Sequence, residues 1–301
     1  MAKDSDKLDI YIKIFNYILN QNKKSFYPKT NDIVNFVDRS LDKEISPRTI
    51  NRYIKDIAHI FDVAIEKKSI RDGYQIKKES GEDLSDVYKT VKLFEKSNYF
   101  KKLIETSSNA LRYFSFDAIE FQGLDLLDTI IKAINEKKTL KIKHKRFDRD
   151  EISTRKIEPA LIKEYAGRWY IIGLDLSVKE FRTFGLDRIT EISILDRKVK
   201  KMHTEKIKDQ FEYTIGLYYS EPQFVTLAFE KKQAEYFKAN PWHKYEIIKE
   251  DKDGLVIEMF VSINYELEQK ILMHHTNVKV IKPKQLIDKI VELHKNAIEQ
   301  Y

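Results

Sequence analysis

Two groups of residues in this sequence have the types and spacing needed to hold a polyanion. The first is Arg48, Asn51, Arg52 and Lys55, which repeat at three, one and three positions and so share one face of a helix. Arginine, asparagine and lysine are the side chains that read guanine, adenine and phosphate in a major groove. The opposite face carries Ile50, Ile54, Ile57 and Phe61 at spacings of four, three and four, which makes a buried stripe. Lys67, Lys68 and Arg71 lie between two short apolar runs, where the basic tip of a hairpin can reach backbone phosphates. The second group is a dense run from Lys137 to Arg168, where eleven Lys/Arg stand against five Asp/Glu. Its balance of +6 nearly equals the +7 of the whole chain. Charge that concentrated favours a phosphate-bearing partner, with a solvated charged face as the alternative.

Other chemistries are missing. The sequence has no cysteine, so neither disulfides nor thiolate metal sites can form. It contains no G-x-S-x-G, no phosphate-binding Walker loop and no H-E-x-x-H. His274 and His275 are neighbours at a predicted helix end and cannot easily face one metal. Neither an enzyme, nor a metal site, nor a cofactor is expected. The N-terminal stretch lacks the apolar core of a signal peptide, and no run approaches the roughly 18 apolar residues of a membrane span. The expectation is a cytoplasmic protein with no membrane partner.

The 301 residues, 42% hydrophobic with both charge signs interspersed, suit two or three folded domains. Residues 1–79 predict a winged helix-turn-helix. Leu8, Tyr11, Ile12, Phe15, Ile18 and Leu19 mark a first amphipathic helix, and Thr30 caps a second that buries Ile33, Val34 and Val37. Ser46-Pro47 starts the third, because serine caps free amides and proline fits the first helical position. Residues 63–65 and 74–76 predict the two strands of a wing, with Gly73 helping the turn. Residues 80–123 predict a helical connector. Residues 124–200 begin with a helix over 124–136 and change to period two, with strands at 139–147, 160–165, 169–175, 180–185 and 189–195. Five short strands without intervening helices predict a small barrel. In residues 201–301 the order βαββαβ with a last helix predicts a ferredoxin-like domain. The fold class is therefore α+β and multidomain.

In the middle segment, Trp169-Tyr170-Ile171 resembles the WYL signature. It sits within Arg155-x-Ile157-x-Pro159, Gly167-Arg168-Trp169-Tyr170-Ile171-Ile172-Gly173 and Phe181-Arg182-Thr183-Phe184-Gly185-Leu186-Asp187-Arg188-Ile189. Order and spacing resemble a WYL domain over about 70 residues. Asn277 to Pro283 with the closing helix is similar to the C-terminal extension common in these proteins, and Ser46-Pro47-Arg48-Thr49-Ile50 to the winged-helix recognition segment ahead of them. The resemblance implies a bacterial transcription factor, often dimeric, with an Sm-like or SH3-like barrel that senses a nucleic acid or nucleotide. Related regulators control DNA-damage or phage-defence genes, mostly as repressors.

On that resemblance the ligand-binding candidates are His144, Arg146, Arg155, Trp169, Tyr170, Arg182 and Arg188, and Thr49 joins the DNA-contacting candidates. Guanidinium groups clamp phosphates bidentately, and a nearby ring can stack on a base. Trp169 and Tyr170 are adjacent in a strand and face opposite sides, so at least one belongs to the core. Arg188 has a local ion pair with Asp187 as its alternative role. Gly185 stands where the family commonly has arginine, which removes one charge. The leading expectation is a homodimeric repressor bound to an inverted repeat in double-stranded DNA. The rival is an accessory protein that binds RNA or single strands without operator specificity; a nuclease ranks third.

Overall fold

Three helices open the chain: α1 (Ala2–Lys23), α2 (Thr30–Leu41) and α3 (Pro47–Phe61). They belong to a computed structural model that describes residues 2–41, 44–69, 73–77, 85–106, 123–146, 151–201 and 203–301. Helix α3 begins where Ser46-Pro47 predicts. The Ser46 hydroxyl accepts the Thr49 amide at 3.2 Å, and Pro47 loses no hydrogen bond at the first position. The helix ends at Asp62, whose left-handed backbone (φ 51°) turns the chain towards the hairpin. Ile50, Ile54, Ile57 and Phe61 are buried against Ile14, Phe15 and Ile18 of α1 and Ile33 and Val37 of α2.

Strands β1 (Ala64–Lys67) and β2 (Tyr74–Lys77) pair antiparallel from Ala64↔Lys77 to Lys67↔Tyr74. Gly73, expected to help the turn, accepts the Lys68 amide across the hairpin at 3.1 Å and has a packing role besides. A Cβ there would fall 2.1 Å from the Pro28 carbonyl oxygen, so glycine is needed for close approach of two backbones. That approach lets the Tyr74 amide donate to Pro28 at 2.8 Å. Asn22 ties β2 to α1, donating to the Tyr74 carbonyl at 3.0 Å and accepting the Ile76 amide at 2.9 Å. Helix α4 (Ser85–Thr106), from the stretch expected as a connector, joins this core through buried Val91. Its Glu95 accepts from Asn16 and its Asn98 donates to Asp9, both on α1. These elements form one compact unit, Met1–Phe116, and Asp117–Tyr301 form a second.

The second unit begins with a 3-10 turn (Leu124–Leu126) that runs into α5 (Leu127–Asn135). Five strands follow: β3 (Lys138–Lys145), β4 (Ile152–Tyr165), β5 (Arg168–Asp175), β6 (Glu180–Gly185) and β7 (Ile189–Lys198). They pair antiparallel in the order β6-β5-β4-β3-β7. The closed barrel expected from the sequence is not formed. A three-residue turn, Leu186–Arg188, carries the chain from one edge strand to the other, so the sheet must curl; yet β6 and β7 share no ladder. Strand β4 is also longer than the predicted 160–165: it starts at Ile152 and runs through Pro159, a residue that by itself argues against a central strand. A register shift between Pro159 and Leu161 absorbs the missing amide. Ile130 and Ala133 of α5 close the core over Leu140, Ile142, Ile157, Ile171 and Phe184.

Helix α6 (Thr204–Glu212), for which the sequence reading has no element, buries Ile207 against Ala160 and Ile172. Strand β8 (Pro222–Glu230), α7 (Lys231–Ala239), β9 (Glu246–Asp251), β10 (Gly254–Ser262), α8 (Tyr265–Met273), β11 (Val278–Lys282) and α9 (Lys284–Ile298) complete the chain. The antiparallel order β11-β8-β10-β9 is what the βαββαβ succession requires. Alternate residues Val225, Leu227 and Phe229 of β8 and Ile257, Met259 and Val261 of β10 meet Phe237, Leu267 and Ile290 of the three helices. Among the described residues no helix is long and apolar enough to cross a membrane.

Replacing Ser46 tests the cap at the start of α3. Ser46→Ala is expected to lower hydrogen-exchange protection of the first α3 amides by about 1 kcal/mol, and Ser46→Gly by only a few tenths.

Candidate nucleic-acid interface and anion pocket

On α3, Arg48, Asn51, Arg52 and Lys55 are all exposed, while every member of the opposite stripe is buried. Asn51 is the anchored one. Its side-chain oxygen accepts the Tyr74 hydroxyl of β2 at 3.0 Å and the Thr30 hydroxyl of α2 at 3.2 Å, so one residue holds three elements in register. Its amide nitrogen remains to donate outward. The Arg52 guanidinium lies 5.6 Å from the Tyr53 ring. Asp56, one helical turn on, accepts the Tyr11 hydroxyl and pairs with Lys7 at 3.6 Å. Those partners, the Tyr11 hydrogen bond first, hold its carboxyl below the usual range. Thr49 is occupied by the cap, its hydroxyl 2.9 Å from that of Ser46. Lys67 and Lys68 are exposed, with ammonium groups 5.9 Å from the Tyr74 ring and 4.0 Å from the Tyr27 ring. Arg71 lies outside the described residues.

In the second unit, five of the seven ligand-binding candidates meet. His144, Arg146, Arg155, Arg182 and Arg188 line one cavity of about 420 Å³, together with Ser153, Thr183, Phe184 and Tyr218. Strand register brings them there. His144 on β3 lies opposite Ser153 on β4, and Ile142 opposite Arg155, so the alternate residues of both strands face one side. Arg182 and Phe184 alternate in the same way on β6, and Arg188 comes from the turn between the two sheet edges. Trp169 and Tyr170 do not line the cavity. Trp169 packs on the core beneath α5, and Tyr170 is buried, its hydroxyl pushed up chiefly by that burial.

Arg155 is the best-supported cation. It donates to Ser153 at 3.3 Å and Ser177 at 3.1 Å, and stands 3.5 Å from the fully buried Asp175 carboxylate. Asp175 in turn accepts the Ser177 amide and hydroxyl, so the guanidinium is held by a buried counter-charge. Arg182 is at the rim, paired with Glu180 at 3.5 Å with both side chains exposed. Asp187 pairs with Arg168, which keeps a carboxylate beside Arg188. Gly185 explains how Arg188 reaches its place. A Cβ at residue 185 would lie 2.5 Å from the Asp187 carboxylate and 3.0 Å from the Arg188 guanidinium. Any side chain there would make the Asp187 carboxylate shift and would crowd the Arg188 guanidinium.

His144 is buried, meets Phe184 edge-on at 5.3 Å, and among the described residues leaves Nε2 without a hydrogen-bond partner. Burial, then Arg188, with smaller contributions from Arg155 and Arg146 against an opposing one from Asp187, pushes its pKa down to about 4. The ring is therefore neutral at pH 7, an uncharged polar group among cations. Ser153, Thr183, Phe184 and Tyr218 are lining residues that the sequence reading does not include. The i, i+2 relation of Ser153 to Arg155 was legible, whereas Tyr218 comes from a distant loop and had no local signal.

Because the folded state holds His144 at about 4 against 6.5 when unfolded, it binds fewer protons than the unfolded chain between those values. That contribution to stability is complete above pH 6.5 and is lost as pH falls towards 4, with a slope of at most about 1.4 kcal/mol per pH unit. Urea unfolding followed by the fluorescence of Trp169 and Trp242 should show this slope, and His144→Gln should flatten it.

Comparison with known proteins agrees with this layout. The WYL domain model matches residues 125–194, and the WCX domain model matches residues 221–298. No curated protein matches the chain. Among solved structures, the chain is similar to proteasome accessory factor B/C (PafBC) of Arthrobacter aurescens at 19% identity and a TM-score of 0.34. That match covers 96% of this chain and 46% of the other, so the chain spans about half the length of PafBC. It is also similar to a CRISPR Cas-related protein, at 14% identity over 99% of this chain and 85% of that one, with a TM-score of 0.39. Behind its helical N-terminal unit, this chain carries a WYL domain on the sheet β3–β7 and a WCX domain on the sheet β8–β11.

Proposed function

We propose that the chain is a DNA-binding transcriptional regulator whose WYL domain binds a phosphate-bearing ligand, of nucleic-acid or nucleotide type. One observation carries the reading: the cavity that joins Arg146, Arg155, Arg182 and Arg188 around a neutral His144. Guanidinium groups converging on one space are arranged for a bidentate anion. The N-terminal unit supplies the DNA contact. Helix α3 with its hairpin acts as a winged helix-turn-helix, Arg48, Asn51, Arg52 and Lys55 reading the major groove and Lys67, Lys68 and Arg71 reaching the backbone. Among the described residues no ion pair engages Arg48 or Lys55, so their charge is available to phosphate.

The protein acts in this reading as a homodimeric repressor on an inverted repeat, and WYL occupancy changes operator affinity by favouring one of two dimer conformations. The resemblance to WYL regulators favours phage-defence or DNA-damage genes as targets and a cytoplasmic location. Binding accounts for all the assembled side chains, so no catalytic step is assigned. The second reading, an accessory protein for RNA or single strands, is favoured by the same arginines acting without the head.

A footprint separates the two: a bounded palindrome supports the regulator, and uniform salt-sensitive protection supports the accessory protein. Arg52→Ala is expected to weaken operator binding by about 1–3 kcal/mol. Arg182→Ala should leave operator affinity intact and remove the ligand response. Arg182 is the better probe than Arg155, since losing Arg155 would strand the buried Asp175. Equal loss of operator binding in both variants would refute this division of labour.

A further inference from the structure

One wall of the anion cavity does not come from the WYL sheet. It is Tyr218, in the loop that joins α6 to β8 and leads into the WCX domain. The backbone of this loop is fastened by buried polar groups at the end of β10 and the start of α8. The Asn264 amide donates to the Ile215 carbonyl at 2.8 Å and the Tyr218 carbonyl at 2.7 Å. Glu266 accepts the Leu217 amide at 2.8 Å, and Ser262 donates to the Ser220 carbonyl at 2.6 Å. Gly216, at φ 89°, lets the chain pass where a Cβ would meet the Glu266 side chain at 2.3 Å. Ser262, Asn264 and Glu266 are all buried, and their hydrogen bonds to the loop offset the cost of burying polar groups.

The ring that this rigid loop presents is uncovered. Tyr218 is 64% exposed, and among the described residues its ring stacks on no other. Its neighbours in the cavity are guanidinium groups, the imidazole of His144 and buried Phe184. A bare aromatic face on a fixed backbone, beside groups that clamp phosphate, is pre-organised to stack on a heteroaromatic ring attached to that phosphate.

We propose that Tyr218 is a ligand-contacting residue that stacks on the base of a nucleotide whose phosphate lies among Arg155, Arg182 and Arg188. The assignment rests on the reading of the cavity as an anion pocket. It makes the pocket selective for a phosphate that carries a base, over a sugar phosphate or inorganic phosphate. It also makes the WCX domain part of the sensor, because the backbone that carries the ring is fastened to the end of β10 and the start of α8.

Calorimetric titration of the full chain with inorganic phosphate, a sugar phosphate, adenosine monophosphate and a phosphorylated dinucleotide tests this. The nucleotide should bind about tenfold more tightly than the sugar phosphate. Tyr218→Ala should erase that factor while leaving sugar-phosphate affinity unchanged, and Tyr218→Phe should keep it. A dinucleotide that binds more tightly than the mononucleotide, and loses the same factor in Tyr218→Ala, supports the contact with a strand end as its source. An unchanged preference in Tyr218→Ala, or no preference in the unmodified chain, overturns the assignment and leaves the anion pocket standing, provided sugar phosphate binds and Arg182→Ala weakens it. If no probe binds, both readings fall together.

Discussion

Guanidinium groups that share a cavity repel one another, and much of the second unit is arranged to meet that cost. Arg155 is neutralised from behind by Asp175, which has no solvent exposure and is itself held by Ser177. Asp187, paired with Arg168, stands beside Arg188 and lowers the positive field there. His144 responds by staying uncharged. The cavity therefore gathers four guanidinium groups whose mutual repulsion neighbouring carboxylates and a neutral imidazole reduce, the arrangement on which the proposed binding of a phosphate rests.

The sheet makes this arrangement durable. Alternation along β3 and β4 sends Leu140, Ile142 and Ile157 into the core and, at the other end of the same antiparallel pair, His144 and Arg155 to the cavity, so one face packs at one end and lines the cavity at the other. The register shift around Pro159 lets β4 continue past the proline and span both regions. The turn at Leu186–Arg188 then brings the far edge of the sheet round, with Gly185 leaving room for the arginine that closes the pocket. In the first unit the same economy appears on α3. Its buried stripe fixes the helix, and Asn51, exposed and so named for base contact, also holds α2 and β2 in place.

Much of this was legible in the residues. The faces of α3, its Ser46-Pro47 start, most strands of the WYL sheet and the βαββαβ succession after it follow from periodicity and capping, because they depend on neighbours within a few positions. Helix α6 was missed because its short apolar pattern, Ile207 and Phe211, gains meaning only against Ala160 and Ile172. The barrel expected from period two stays open. Period two predicts strands, but whether the last pairs with the edge beside it depends on curl, which a local pattern does not encode.

A basic, helix-borne face and a positively charged β-rich segment follow from the residues alone, since residue type and spacing are properties of the chain. Which cations meet is a matter of the folded chain. It drew His144, Arg146, Arg155, Arg182 and Arg188 into one cavity, left Trp169 and Tyr170 to the packing, and added Tyr218 from thirty positions beyond Arg188. The reason is physical: convergence is set by strand register and by the path of loops, and neither is recorded in the spacing of any one segment.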